Sequence, residues 1–130
     1  MSASAARELL GIKNELERIG MQLRQMAKNR PEGWKKEYVQ LRCRLQAQLN
    51  VAGELGEALF RAGTAAELAP DFRAALRKMR NALALHQASW PVITIAPDDP
   101  NYQASMRNVT QAHQEFDAIV DAIVPLRPGS

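Results

Sequence analysis

The sequence has few of the residues that cross-link, catalyse or stack. Cys43 is the one cysteine, so no disulfide can form within the chain, and a reducing compartment is the simple interpretation. Aromatic residues make up only 5% of the chain. No apolar run approaches the roughly 20 residues of a membrane helix, and the first residues are charged and lack the apolar stretch of a signal peptide. We therefore expect a cytoplasmic protein.

The sequence also lacks the motifs of the common enzyme classes. It contains no glycine-rich phosphate loop, nucleophile elbow, dinucleotide fingerprint or His-Glu-x-x-His pattern. His86 and His113 fall on apolar helix faces, which favours hydrogen-bonded histidines at a core edge, with a metal or acid–base pair as the alternative. Asp117 and Asp121 are one helical turn apart, which suits a cation or, more simply, pairing with basic helices. We predict no enzyme, no catalytic residue, no cofactor and no bound metal.

Apolar residues at helical spacing are what the sequence has in abundance. They recur every three or four positions in four segments, which is the pattern of amphipathic helices. The segments run from Leu9 to Met26, Trp34 to Leu59, Leu68 to Trp90 and Tyr102 to Ile123. Short turns between such helices are typical of a bundle. We predict an all-α, mostly antiparallel four-helix bundle that forms one domain over residues 1–124, followed by a frayed tail at 125–130.

Several residues predict where the helices begin and end. Gly63 follows the second apolar stripe and suits a C-cap, and Asp99 followed by proline suits the start of the last helix. Residues 64–67, Thr-Ala-Ala-Glu, match a capping box, and we expect a short turn or a kink before the third helix. Gly53 and Gly56 interrupt the second helix and indicate a kink or a close helix–helix approach.

The connection at about residues 90–99 is bracketed by prolines and alternates like a β-strand. Fully extended at about 3.3 Å per residue, it could span the height of the bundle and make the last two helices parallel. Alternatively, it could fold across one end of the bundle as an apolar lid. A functional interpretation is that Val92, Ile93 and Ile95 are partly exposed and accept a partner, because an extended segment can pair with another strand.

Charge is distributed unevenly along the chain, which has a net charge of +3. Residues 1–30 carry six basic and three acidic side chains, whereas residues 91–130 carry two basic and five acidic ones. The first two-thirds of the chain therefore suits an acidic partner, which could be the protein's own last helix. The third helix carries a ridge of positive side chains formed by Arg73, Arg77, Lys78 and Arg80.

These patterns lead to two functional hypotheses. The first is a non-enzymatic protein–protein interaction module, and export chaperones, adaptor subunits and phage-encoded inhibitors are similar to it in general shape. Its predicted interface consists of Arg73, Arg77, Arg80, Trp90, Val92, Ile93 and Ile95. The alternative is a nucleic-acid-associated protein that contacts phosphates through Arg73, Arg77, Lys78 and Arg80. The hairpin of the first two helices has the cleanest apolar seam and could also form a homodimer with a second copy.

Overall fold

The structure, a computed structural model, describes residues 2–124. Four α-helices account for most of this range, and it contains no strand. They are α1 (Ser2–Asn29), α2 (Trp34–Arg61), α3 (Ala69–Ser89) and α4 (Pro100–Ile123). One turn of 3₁₀-helix at Ala66–Leu68 precedes α3, and another at Val92–Thr94 lies in the connection to α4. The all-α prediction is confirmed, and the predicted tail at 125–130 lies outside the described residues.

The four helices form a bundle in which each packs against its neighbours in the chain, and α1 also packs against α4. The direction of α3 relative to α4 follows from their aromatic contacts. Phe72 near the start of α3 meets Phe116 in α4, whereas Trp90 just after α3 meets Tyr102 near the start of α4. The two helices are therefore antiparallel, which excludes a connection that spans the height of the bundle.

The apolar stripes predicted from the sequence form the main core. Its most deeply buried side chains are Leu9, Leu16, Ile19, Leu49, Leu59, Phe72, Met79, Phe116 and Val120. Helices α2 and α3 approach closely at Gly56, where an added Cβ would lie 2.5 Å from the ring of Phe72. The glycine therefore marks a close helix–helix approach, because any side chain there would overlap the aromatic ring.

Two of the predicted helix ends are confirmed in atomic detail. Gly63 adopts φ 88°, and its N–H donates to the carbonyl of Phe60 while the N–H of Thr64 donates to that of Leu59. These two bonds form a Schellman motif, which satisfies the last carbonyls of α2. At the start of α4, Oδ1 of Asp99 accepts a hydrogen bond from the backbone N–H of Asn101 at 2.7 Å, as an N-cap does.

The capping box predicted at residues 64–67 is wrong. Among the described residues, neither the 3₁₀ turn nor α3 has a side-chain cap at its start. The reason is that Thr64 belongs to the Schellman motif that ends α2, and Ala65 at φ 49° then turns the chain directly into the 3₁₀ turn. The short turn expected before the third helix is the alternative that the structure adopts, with Pro70 in the first turn of α3.

The seam between the first two helices is satisfied within one chain. Its residues Leu9, Leu16, Ile19, Leu41, Leu45 and Leu49 are all buried in the bundle's own core. The large apolar side chains that the hairpin exposes are instead Met21, Val39 and Val51. The predicted homodimer would therefore need a surface other than this seam. Across residues 2–124, no helix combines the length with the hydropathy that a membrane crossing requires.

Candidate functional site

The Pro-bracketed connection folds across the end of the bundle where α1 ends and α2 begins, and we call residues 90–99 the lid. Ile95 is only 5% exposed and packs in a second core cluster with Ala27, Tyr38 and Tyr102. The expected partial exposure of Ile95 is therefore wrong, because the aromatic rings of α2 and α4 cover it. In contrast, Ile93 is 75% exposed, while Trp90 and Val92 are half-buried against the same cluster.

Two arginines of the first hairpin hold the lid in place. Arg30 donates from Nη2 to the carbonyl of Ile95 at 2.6 Å, and Arg42 donates from Nη2 to the carbonyl of Trp90 at 2.9 Å. The Arg30 guanidinium also lies over the Trp34 ring, and that of Arg42 lies 4.8 Å from the centre of the Tyr38 ring. Their role in holding the lid was not predicted from the sequence, although Arg42 is four residues from Tyr38 in α2, a spacing that suits a cation–π pair on a helix. Arg30 lies between α1 and α2 with φ 47°, so helical spacing does not account for its contact with Trp34.

The structure divides the predicted basic ridge between two sides of α3. Arg73 faces α2 and donates two hydrogen bonds to Glu57, at 2.8 and 2.7 Å. Lys78 faces α4 and contacts both carboxylate oxygens of Glu115, at 2.9 and 2.8 Å. These hydrogen bonds from the cations lower the pKa of Glu57 and that of Glu115 below their ordinary values. Half of the predicted ridge is thus already paired with carboxylates of the same chain.

The other two ridge residues, Arg77 and Arg80, join Arg73 in a surface groove between α2 and α3. Asn50, Gly53, Glu54, Glu57, Arg61, Leu76 and Asn81 complete the lining of this groove. Arg80 donates from Nη2 to Oδ1 of Asn50 at 3.1 Å, but its Nε is buried and has no hydrogen-bond partner within the described part of the chain. We call this feature the arginine groove.

His86 and His113 line the same cavity without forming a joint site. Nδ1 of His86 lies 2.7 Å from Oγ of Ser105, whereas Nε2 of His113 lies 3.5 Å from Oδ1 of Asp117, one turn along α4. Burial and the positive charge of Arg42 lower the pKa of His86 to about 4, so its imidazole is neutral at pH 7. Residues 2–124 contain no cluster of three or more potential metal ligands.

This cavity has a volume of about 280 Å³ and receives side chains from all four helices. Leu16, Leu23, Leu45, Met79, Leu83, Met106 and Val109 form most of its apolar lining. Tyr38, Arg42 and Tyr102 also line it, which places the cavity directly beneath the lid. Burial raises the pKa of Tyr102 far above its ordinary value, with the Tyr38 hydroxyl as a second cause. The cavity therefore combines an apolar wall with neutral hydrogen-bonding groups, two arginines and two carboxylates.

Two acidic residues of α4, Glu115 and Asp121, pair with basic residues of other helices, whereas Asp117 lies beside His113 within α4. Asp121 lies 2.9 Å from Nζ of Lys13 in α1, and its hydrogen bond raises the pKa of that lysine. Together with the pair between Lys78 and Glu115, this contact agrees with the prediction that basic helices pair with the acidic last helix. Cys43 is exposed.

Comparison of the chain with models of known protein families, with curated proteins and with solved structures finds no match.

Proposed function

We propose that this protein is a cytoplasmic, non-enzymatic binding module that holds an acidic segment of a partner protein in the arginine groove. The observation that carries the proposal is the charge of the groove, where four arginines face two glutamates. The guanidinium of arginine offers paired donors that match a carboxylate, and it loses less hydration energy on contact than an ammonium group does. A groove with excess arginine therefore favours carboxylate side chains of a partner.

The geometry of α3 supports a helical or extended acidic partner. Arg73, Arg77 and Arg80 are spaced by four and three residues, so they lie on one face of the helix. Asn50 and Asn81 at the groove wall can donate and accept hydrogen bonds. Two carboxylates about one turn apart on a partner could then meet Arg77 and Arg80.

The lid offers a second, smaller contact. Ile93 presents an exposed aliphatic side chain, and Trp90 and Val92 beside it are half-buried. The ten residues from Arg80 to Trp90 correspond to about 15 Å along a helix axis. A partner that touches both features would therefore extend along α3 from the arginine groove to the lid. Adaptor, chaperone-like and inhibitor roles are all compatible with such a contact.

Nucleic-acid binding is the second candidate, and the row of arginines along the groove is the observation that favours it. Three arginines on one helix face could contact successive phosphates. Glu54 and Glu57 in the same groove would repel phosphates, however, and Arg73 is already paired with Glu57. None of the described residues that line the groove is aromatic, so base stacking has no support there. The protein partner is therefore the preferred proposal.

The proposal is tested by reversing the charge of the groove. We expect the double variant Arg77→Glu/Arg80→Glu to lose at least tenfold in affinity for a partner captured from native lysate, a change of about 1.4 kcal/mol. The matched control is Lys35→Glu/Lys36→Glu, which makes the same change in net charge at exposed positions of α2 outside the groove. Capture is read by mass spectrometry, and affinity is then measured with the purified partner.

Three results separate the alternatives. Loss in the groove variant with retention in the control supports the groove. Equal loss in both variants would show that only overall charge matters and would contradict the proposal. Capture that disappears after nuclease treatment would instead favour nucleic acid. Ile93→Asp tests the lid contact separately, and its exposed position means that the fold should tolerate the change.

A further inference from the structure

The cavity beneath the lid is separate from the arginine groove, and the two share no lining residue. Its walls combine aliphatic side chains from the four helices with polar and charged ones. A dry apolar cavity of about 150 Å³ is sufficient to bind benzene, and this cavity is about 280 Å³. The space is therefore large enough for a compact molecule of two fused rings.

His86, His113 and Asp117 line this cavity, and each has a buried side-chain atom without a hydrogen-bond partner among residues 2–124. His86 is the most deeply buried of the three. The residue is only 4% exposed, and Nδ1 is engaged by the hydroxyl of Ser105. Nε2 is buried and has no hydrogen-bond partner among residues 2–124. A buried polar atom without a partner is costly, and such atoms in native proteins call for an explanation. An apolar cavity with a few directed polar groups is the usual form of a small-molecule site.

We propose that the cavity binds a compact, uncharged and mostly apolar ring compound whose single hydroxyl group forms a hydrogen bond with Nε2 of His86. A hydroxyl group can both donate and accept a hydrogen bond. It therefore complements Nε2 whichever nitrogen of the neutral imidazole carries the proton. The aliphatic walls would cover the rest of the ligand.

The charges around the cavity favour a neutral ligand. Arg24 and Arg42 among the lining residues are balanced by Glu17 and Asp117. Arg42 is also committed to the carbonyl of Trp90 and to the ring of Tyr38. Because the four charges cancel, an ionised ligand would add an unbalanced charge to the cavity and would lose its hydration, and that loss is large in an apolar site.

The test uses two ligands that share a ring system and differ by one hydroxyl group. The full chain at pH 7.5 is titrated with 5-indanol and with indane, and binding is measured by calorimetry. We expect 5-indanol to bind about five- to tenfold more tightly, which is the contribution of one neutral hydrogen bond. In the wild-type chain, ¹⁵N NMR of the histidine side chains should show a shift of the Nε2 resonance of His86 with 5-indanol. The backbone amide resonances of the arginine groove serve as the internal reference, because the groove shares no lining residue with the cavity.

Two variants locate the site. His86→Phe keeps a ring of similar size without Nε2, so 5-indanol should lose its advantage while indane still binds. Val109→Trp places a larger side chain in the cavity and should abolish binding of both compounds. The groove variant Arg77→Glu/Arg80→Glu should bind both as the wild type does, which separates this inference from the proposed function.

The proposal is overturned if neither compound binds at its solubility limit. It is also overturned if the two compounds bind equally to the wild type or if the Nε2 resonance of His86 does not move. The last two readouts need no variant, so a folding defect in His86→Phe would not prevent a decision.

Discussion

The two ends of the bundle use different aromatic residues. At the end far from the lid, Phe60 and Phe72 lie 5.4 Å apart, and Phe72 and Phe116 lie 5.8 Å apart, measured between ring centres. These are all three phenylalanines of the chain. Every tyrosine and tryptophan lies at the lid end, in the second core cluster formed by Trp34, Tyr38, Trp90 and Tyr102 with their aliphatic neighbours.

This difference separates aromatic residues that stabilise the fold by packing alone from aromatic residues that also carry a polar group. Phenylalanine contributes apolar area alone, whereas tyrosine and tryptophan carry a polar group that needs a hydrogen-bond partner. The far end is therefore held by packing. The lid end holds polar side chains in buried positions, and it also contains His86, Arg42 and the cavity. Changes at the far end should affect the whole fold, while changes at the lid end should affect local structure and binding.

The largest effect is expected from breaking the far end. Phe72→Ala should lower the free energy of unfolding by about 3–5 kcal/mol, because it removes a fully buried ring and leaves a cavity. Urea denaturation followed by circular dichroism measures the change. Leu85→Ala is the control on the same helix. Because the Leu85 side chain is 66% exposed, its truncation should change the free energy of unfolding by less than about 0.5 kcal/mol. Similar losses in the two variants would contradict the assignment of Phe72 to the core.

The next effect concerns the lid end and depends on pH. The pKa of His86 is lowered to about 4 in the folded chain, from an ordinary value of 6.5. Between these two pKa values the unfolded chain binds more protons than the folded chain. The free energy of unfolding therefore rises as the pH increases from about 4 to 6.5, and it falls as the pH decreases through the same range. The free energy of unfolding should change by roughly 3 kcal/mol across this pH range, because each pKa unit of difference between the two states corresponds to about 1.36 kcal/mol.

Urea denaturation at a series of pH values tests this dependence. His86→Phe should flatten the curve between pH 4 and 6.5. Glu57 and Glu115, whose pKa values are lowered, affect the free energy of unfolding at lower pH, where their carboxylates become protonated. A curve in His86→Phe that keeps the full slope above pH 4.5 would show that another group is responsible.

The smallest effect is expected from loosening the lid. Arg42→Met removes the hydrogen bond to the Trp90 carbonyl and the contact with the Tyr38 ring. We expect the free energy of unfolding to fall by roughly 1.5 kcal/mol. Hydrogen exchange of the backbone amides in residues 92–96 should accelerate relative to the wild type, and by more than exchange in α2. The loss of the nearby positive charge should also raise the pKa of His86 toward its ordinary value.

Arg44→Met is the control for the lid. Arg44 is exposed and pairs with Glu15 on α1, and surface ion pairs of this kind contribute about 0–1 kcal/mol. Its replacement should leave the exchange of the lid amides unchanged. Equal acceleration in the two variants would mean that Arg42 does not hold the lid.

Features set by local pattern could be predicted, and those set by distant contacts could not. The apolar stripes predicted four helices because the spacing of three and four residues is local, and Gly63 and Asp99 act within one helical turn of their position. The burial of Ile95 could not be predicted, because alternation in a short segment contains no information on what covers it. The groups that cover it come from α1, α2 and α4.

The candidate sites show the same division. The positive ridge of α3 could be predicted from spacing alone, but its split into paired and groove-lining residues depends on Glu57 in α2 and Glu115 in α4. Both histidines could be placed on apolar faces, yet the cavity that they line requires side chains from four helices to leave space unfilled. Volume left between helices has no signature in a single sequence.

The two arginines that hold the lid have a consequence for the order of folding. The partners Arg42 and Trp90 are 48 residues apart, and Arg30 and Ile95 are 65 residues apart. Contacts within the α1–α2 and α3–α4 hairpins join neighbouring helices, and such contacts form early because short loops close at low entropic cost. Both lid contacts join the first hairpin to the segment that follows α3, so they close long loops. We therefore expect closure of the lid to come late in folding and its opening to come early in unfolding.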